Sequence, residues 1–175
     1  EDGVLRHYGV SVEKVESALK AIEYPGVVSV QIIFNIFRQR PAELFFEQAQ
    51  KRDVGIIVRV PLASGLLTGK FDRDSQFAAD DHRAFNRHGE SFDMGETFSG
   101  VDFETGLDVV ERLRPLVPGG ATLAQLALRW ILDFDAVTTV IPGAKTEEQA
   151  RANAAASDLP PLSPATRETI DRLYH

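Results

Sequence analysis

Two patterns of apolar and polar residues alternate along the chain. Four short runs are rich in apolar residues and have the length of strands, and they span residues 4–10, 27–35, 54–60 and 136–141. The second and third runs are apolar at both odd and even positions, which is typical of strands covered on both sides in a parallel sheet. We therefore expect four strands, of which the second and third are buried.

The stretches between these runs show helical spacing. Ser11 is predicted to cap a first helix, in which apolar residues recur at every third or fourth position from Val12 to Ile22. A second helix is expected over residues 41–52. Its inward-facing residues are predicted to be Leu44, Phe45 and Ala49.

The later helices carry signals at their first turns. A capping box of the form Thr-x-x-Gln begins at Thr122, ahead of an apolar stripe over residues 123–134, and a second such box begins at Thr146. Helices are also predicted over residues 107–117 and 163–173. Strand and helix thus alternate four times, which indicates parallel βα units.

The pattern alone leaves two α/β architectures open, a barrel and an open doubly wound sheet. The first strand-to-helix turn lacks the glycine-rich dinucleotide fingerprint of the open sheet. In both architectures ligands bind at the carboxyl ends of the strands. The polar positions at those ends are Ser11, Gln31 with Asn35, Arg59 and the turn at residues 143–146.

One segment departs from the alternation. Residues 71–106 are polar and rich in glycine, and they are too many for a plain connection. We interpret this segment as a long loop that covers something. His82 and His88 lie in it near two aspartates, but no pair has the spacing of metal ligands on a regular element, so no metal site is predicted.

Composition narrows the function. The chain has 175 residues, is 43% hydrophobic and carries a formal net charge of −7, so one domain over residues 1–175 is expected and binding to nucleic acid or to an anionic membrane is disfavoured. It contains no cysteine and no apolar run long enough to span a membrane, which fits a cytoplasmic protein. The sequence starts at Glu1 without an initiator methionine, so we expect a processed protein or a piece of a larger one.

Two polar residues inside buried strands need partners. An amide such as Gln31 loses about 1–3 kcal/mol if it is buried without hydrogen bonds, and an internal network and a ligand satisfy it equally well. Arg59 stays charged and requires an acidic partner, a stacked planar ring or water, so a structural salt bridge and a ligand contact both remain open. The sequence PLASGLLTGK at residues 61–70 has glycines that allow close approach to a phosphate, but it lacks the spacing of a Walker loop.

Five motifs together resemble the aldo-keto reductases. They are YGVS, VQIIFN, VRVPLASGLLTGKF, LAQLALRW and VIPGAKTEEQARAN, in that order along the chain. The segment DDHRAFNRHGESFDMGETFSG is similar to the loop that bacterial members carry over the cofactor. The family folds as a (β/α)8 TIM barrel, and the resemblance implies that this chain covers strands five to eight with their helices, a half barrel.

The resemblance also implies a cofactor site for NADP(H). Ser11 and Gln31 match the residues that hold the nicotinamide carboxamide, and Arg59 replaces an aromatic residue that stacks on the nicotinamide ring. The loop along the pyrophosphate matches Pro61, Leu62, Ser64, Gly65, Leu67 and Lys70. The site of the adenosine 2′-phosphate matches Gly143, Lys145, Thr146, Gln149 and Asn153, so NADPH is favoured over NADH.

The family's catalytic Asp, Tyr, Lys and His lie on its first four strands, which have no match here. We therefore expect an NADPH-dependent reductase of aldehydes or ketones when intact, with a small carbonyl substrate, and little turnover by this piece alone. A non-catalytic NADP(H)-binding or regulatory module is the alternative. Four parallel strands would leave two unpaired edges and an apolar face, so a missing N-terminal half or self-association is also predicted.

Overall fold

A computed structural model describes residues 3–174 of the chain. Its strands are β1 (Tyr8–Ser11), β2 (Val27–Ile33), β3 (Gly55–Arg59) and β4 (Val137–Val140). Its helices are α1 (Val15–Ala21), α2 (Arg40–Leu44), α3 (Phe46–Lys51), α4 (His82–Phe85), α5 (Phe103–Leu113), α6 (Leu123–Leu132), α7 (Glu147–Ala154) and α8 (Pro164–Tyr174). Short 3₁₀ turns lie at Ala63–Thr68, Met94–Glu96, Phe98–Gly100, Arg114–Leu116 and Ala155–Asp158.

Within the described residues the strands form one open parallel sheet in the order β1-β2-β3-β4. Alternate residues of the two central strands, among them Val30, Ile32, Ile56 and Val58, lie in the hydrophobic core beneath the helices. The α/β class and the parallel pairing agree with the pattern of the sequence. The sheet is open rather than a closed barrel.

The opposite face of the sheet is more polar than the strand pattern predicts. Register places Gly9 beside Ser29 and Ser29 beside Gly55, and Ile57 beside Thr139. Gly9 fits here because an added Cβ would lie 2.2 Å from Ser29 Oγ and 2.7 Å from its carbonyl oxygen. The small residues therefore let neighbouring strands lie side by side with little bulk on the open face.

An aromatic group fills the core between β2 and α6. The ring of Phe34 stacks on that of Trp130 at 5.0 Å, and Phe46 and Phe134 meet Phe34 edge-on. Thr122 and Gln125 form the predicted capping box at the start of α6. Both capping hydrogen bonds stabilise the first turn of the helix that carries Trp130.

Several predicted boundaries are wrong. The first strand begins at Tyr8 rather than Val4, because the paired part of β2 begins opposite Tyr8, and Val4 is exposed. The helix predicted over residues 41–52 is two helices that meet at Phe45, and the change of phase buries Phe45 and leaves Leu44 46% exposed.

The helix predicted over residues 107–117 begins earlier and ends earlier. It starts at Phe103, because the Asp102 side chain accepts a hydrogen bond from Thr105 N at 3.0 Å. It ends at Leu113, where Pro115 lies in a 3₁₀ turn and has no N–H to continue the helix.

Candidate functional site: a cleft at the strand ends and a strand-to-helix corner

The carboxyl ends of β1 and β2 bring Ser11 and Gln31 together. The two residues are partners in the parallel register, and Gln31 Nε2 donates a hydrogen bond to Ser11 Oγ at 2.9 Å. Ser11 therefore ends a strand and does not cap α1, whose N-cap is Lys14 without a side-chain cap. The pair keeps an amide oxygen that can accept and a hydroxyl that can donate.

Arg59 ends β3 and lies beside this pair, and it makes the salt bridge that its burial requires. Its Nη1 pairs with the Glu96 carboxylate, and Nη2 donates to the Val12 carbonyl at 3.2 Å. The side chain of Arg59 is 15% exposed and that of Glu96 is 25% exposed. Arg59 Nε is buried and has no hydrogen-bond partner, so one donor of the guanidinium remains for a further acceptor.

These groups line a cleft with a volume of about 650 Å³. Ser11, Gln31, Arg59 and Glu96 lie along it, together with Val12, Glu13, Lys14 and Ser17. Its two cationic and two anionic side chains leave a formal charge near zero. The cleft is thus polar, charge-balanced and open to one small ligand group.

The loop after β3 has an unusual backbone. Val60, Ala63 and Ser64 have φ of 50°, 48° and 56°, and Gly65 has φ of 95°. Left-handed conformations in residues other than glycine cost free energy and persist where surrounding contacts hold them. Here Ser64 Oγ donates to the Glu96 carbonyl at 2.7 Å and accepts from Phe98 N at 3.2 Å.

The other residues predicted along a pyrophosphate have mixed exposure. Pro61 and Leu67 are buried, Leu62 and Gly65 are partly buried, and Lys70 is exposed. Gly65 packs beneath the Phe71 ring, since an added Cβ would lie 3.2 Å from it. The loop is therefore anchored by its apolar residues and presents backbone and Lys70 outward.

Residues 71–106 lie over this loop and over Arg59. Besides Glu96 and Phe98, the segment contributes Ser99, whose Oγ accepts from Asn35 Nδ2 at 2.7 Å. Asn35 is fully buried and also donates to the Val60 carbonyl at 2.8 Å, so it joins the end of β2 to the loop and to the segment. The segment covers the strand ends through specific polar contacts.

The segment has its own small core. The rings of Phe71, Phe77, Phe98 and Phe103 contact one another, and Arg83 and Arg87 lie over their faces, Arg83 at 4.6 Å from the Phe77 centroid. His82 lies beside Asp81 and His88 beside Glu90. No group of three metal-binding side chains occurs among residues 3–174.

The turn between β4 and α7 forms a second polar corner. Thr146 Oγ1 accepts from Gln149 N at 3.2 Å, as the capping box predicts, but Gln149 Oε1 accepts from Lys145 N at 2.8 Å rather than from Thr146 N. Asn153 Nδ2 donates to the Gly143 carbonyl at 3.2 Å. Gln149 and Asn153 thus use their amides within the turn and hold its shape.

The charges at this corner oppose one another. Lys145 is exposed and makes no ion pair within the described part of the chain. In the first turn of α7, Glu147 pairs with Arg151, whereas backbone and Thr146 hydrogen bonds lower the pKa of Glu148 and keep it ionised. Lys145 therefore provides the corner's positive charge, and Glu148 reduces its effect.

The structure places the predicted residues in three sets, and the loop at residues 61–70 holds one of them. Ser11, Gln31 and Arg59 meet in the cleft, while the polar contacts of the 143–153 corner stay within that turn and its helix. Sequence reasoning missed Glu96 as the partner of Arg59. The sequence indicates that Arg59 needs an acidic partner. It does not indicate which residue this is, because Glu96 lies 37 residues away in an irregular segment.

Comparisons with known proteins agree with the fold. A model of the aldo/keto reductase family matches residues 1–175. A probable voltage-gated potassium channel subunit beta from Arabidopsis thaliana is 29% identical over 164 residues, which cover 89% of this chain and 46% of that protein. The aldo-keto reductase yakc [NADP(+)] from Schizosaccharomyces pombe is 24% identical over 148 residues, which cover 83% of this chain and 41% of that protein.

A solved structure is similar over nearly all of the chain. The aldo-keto reductase from Bacillus halodurans in its holo form has a TM-score of 0.70 and 27% identity, and the match covers 98% of this chain and 51% of that one. The chain spans about half the length of the relatives that it matches. No helix within residues 3–174 is long and apolar enough to cross a membrane.

Proposed function

Because the chain belongs to the aldo/keto reductase family of oxidoreductases, we propose that it carries the cofactor-binding half of an NADPH-dependent reductase of aldehydes or ketones. In this proposal the chain corresponds to strands five to eight of the family's barrel. Bound NADPH supplies the hydride that reduces the carbonyl carbon. The residues of this chain bind and orient the cofactor.

The observation that carries the proposal is the Ser11–Gln31 pair next to the unpartnered Arg59 Nε. A primary carboxamide presents one acceptor and two donors. The Ser11 hydroxyl can donate to its oxygen, and the Gln31 amide oxygen can accept from its nitrogen. The orphaned Arg59 Nε is a further donor that a ligand acceptor would satisfy, so the residues present fit a nicotinamide group.

Preference for the phosphorylated cofactor is assigned to Lys145. An exposed ammonium group at the start of α7 attracts the 2′-phosphate dianion, while Glu148 weakens the attraction. One relative is named for NADP(+), which supports the same cofactor here. The loop from Pro61 to Lys70 is assigned to the pyrophosphate.

Cofactor titration tests this assignment. We expect Lys145→Gln to raise the Kd for NADPH roughly tenfold and to leave the Kd for NADH unchanged, because only NADPH carries the phosphate. Lys51→Gln, which removes the same charge from α3, is the matched control and should change neither value. Equal losses for both cofactors would contradict the role of Lys145, and failure of the wild-type chain to bind either would contradict the whole proposal.

The proposal assigns no catalytic residue to this chain. The family's Asp, Tyr, Lys and His would come from outside it, so we expect the 175-residue chain to bind NADPH with little carbonyl reduction. Normal turnover of a model aldehyde by this chain, followed as loss of NADPH absorbance, would overturn that expectation.

A second candidate function is a non-catalytic NADP(H)-binding or regulatory module. The similarity to a protein named as a potassium channel subunit beta favours it, since that name describes a subunit rather than a reductase. Steady-state assays of carbonyl reduction separate the two candidates. They require this chain joined to the part of the barrel that would carry the catalytic residues. Tight binding of NADPH without turnover would favour the module.

The two edges of the sheet are the proposed site of assembly. β1 and β4 each pair with one strand within the described residues, and Tyr8 and Ile141 at these edges are exposed. We expect additional strands to cover both edges, either from the half of the barrel that this chain does not contain or from a second copy. A monodisperse monomer in sedimentation velocity at high concentration would count against the second arrangement.

A further inference from the structure

Glu96 forms the ion pair with Arg59, and contacts of its backbone hold it in place. Its carbonyl oxygen accepts from Ser64 Oγ at 2.7 Å, and its N–H donates to the Asp93 carbonyl at 3.0 Å. Asp93 in turn caps the 3₁₀ turn by accepting from Gly95 N at 2.8 Å. The backbone of Glu96 is therefore held on both sides, and its carboxylate stays directed at the guanidinium.

The ion pair balances the charge at the strand-end cleft. Arg59 and Lys14 contribute positive charges, and Glu13 and Glu96 contribute negative ones. Glu13 and Lys14 are exposed to solvent, whereas Arg59 and Glu96 are largely buried, so the inner pair is the less screened of the two. Without the Glu96 carboxylate the inner part of the cleft would carry one uncompensated positive charge.

The oxidised and reduced nicotinamide rings differ in their net charge. The ring is cationic in NADP⁺ and neutral in NADPH. A protein group that changes the local charge therefore changes the relative affinity for the two forms. An uncompensated Arg59 would repel the oxidised ring and leave the reduced ring largely unaffected.

We propose that Glu96 is a positioning residue that neutralises Arg59 and thereby sets the relative affinity of the cleft for oxidised and reduced nicotinamide cofactor. The inference rests on the proposed function, because it requires the nicotinamide to bind beside Arg59. It assigns to the covering segment a part in cofactor selection that goes beyond covering the strand ends. Glu96 acts through Arg59 and through the charge of the cleft.

The test uses the full chain and the Glu96→Gln variant, which keeps the size of the side chain and an oxygen that accepts from Arg59. NADPH binding is followed by the fluorescence of the reduced cofactor, and NADP⁺ binding by displacement of NADPH. We expect the ratio of the Kd for NADP⁺ to the Kd for NADPH to rise on the order of tenfold. The increase should shrink at high salt, because the effect is electrostatic.

Two further variants separate charge from packing. Arg59→Gln leaves Glu96 uncompensated, so the same ratio should fall below the wild-type value, and the double variant Arg59→Gln/Glu96→Gln should return it towards wild type. Glu168→Gln removes an equal charge from α8, where the side chain is 68% exposed and faces Arg172, and should leave the ratio unchanged. Circular dichroism verifies that each variant is folded.

The outcomes distinguish this inference from the proposed function. If the wild-type chain binds neither form, the proposed function fails and the inference fails with it. If the wild-type chain binds and Glu96→Gln weakens both forms alike, the cofactor site stands and Glu96 serves only to hold the segment. A ratio that shifts in opposite directions in the two single variants would support the inference.

Discussion

Replacing Asn35 with alanine tests whether one buried amide joins the strand ends to the covering segment. Asn35 is fully buried, and its side chain makes three hydrogen bonds: to the Val60 carbonyl at 2.8 Å, to Ser99 Oγ at 2.7 Å and from Phe37 N at 3.0 Å. Alanine removes all three and leaves their partners without the amide. The partners belong to three separate parts of the chain.

The cost follows from the number of bonds and the burial of the partners. Each lost hydrogen bond costs about 1 kcal/mol, so Asn35→Ala should lower the free energy of unfolding by about 3 kcal/mol. Gln39→Ala is the matched control, because Gln39 is 7% exposed and its side chain makes one hydrogen bond, to the Ile36 carbonyl at 3.1 Å. That variant should lose about 1 kcal/mol.

Urea denaturation measures both variants, with the fluorescence of Trp130, which is 1% exposed, and far-ultraviolet circular dichroism as probes. The slope of free energy against urea should stay unchanged, since neither substitution alters the surface that unfolding exposes. If Asn35→Ala loses no more stability than Gln39→Ala, the three hydrogen bonds of Asn35 do not hold β2, the loop after β3 and residues 71–106 together. Limited proteolysis of residues 71–106 provides a second readout, and it should accelerate only in Asn35→Ala.

Two further predictions concern other parts of the fold. Gly9→Ala should destabilise the protein by about 2 kcal/mol, because the new Cβ would lie 2.7 Å from the Ser29 carbonyl oxygen. Gly119→Ala is the control and should leave the melting temperature nearly unchanged, because a Cβ there would have nothing within 4 Å. Equal melting temperatures for the two variants would contradict the clash at Gly9. The Arg83 guanidinium, which donates hydrogen bonds to the Asp81 carboxylate, holds the pKa of Asp81 well below its usual value of 3.8. The stability that this carboxylate contributes is therefore fully present above pH 3.8 and is lost as pH falls through the lower folded-state pKa. Asp81→Asn should therefore lose about 1 kcal/mol of stability at pH 7, and this difference from wild type should shrink progressively as pH falls below 3.8. A difference in denaturation midpoints that is independent of pH would contradict this.

Local signals predicted where several polar residues of the cleft lie. The apolar runs located β2, β3 and β4. The parallel arrangement placed Ser11, Gln31 and Arg59 together towards the carboxyl ends of the strands. The prediction that Ser11 caps a helix is wrong, because a serine between a strand and a helix can equally well end the strand. The prediction that Leu44 faces inward is also wrong, because helical spacing across residues 41–52 does not reveal the break at Phe45.

The sequence by itself determined the four strands, most of the helices, the α/β class and the chemical character of the strand ends, but not the break at Phe45 or the short helix α4. The features that it determined depend on periodicity and capping, which act over a few residues. Tertiary structure alone decided that Glu96 pairs with Arg59 and that Asn35 bonds to Ser99, which are 37 and 64 residues apart. The physical reason is that a buried charge or amide requires a partner, but its own residue type does not specify which partner that is. The partner is decided by the path that an irregular segment takes over the strand ends in the folded chain.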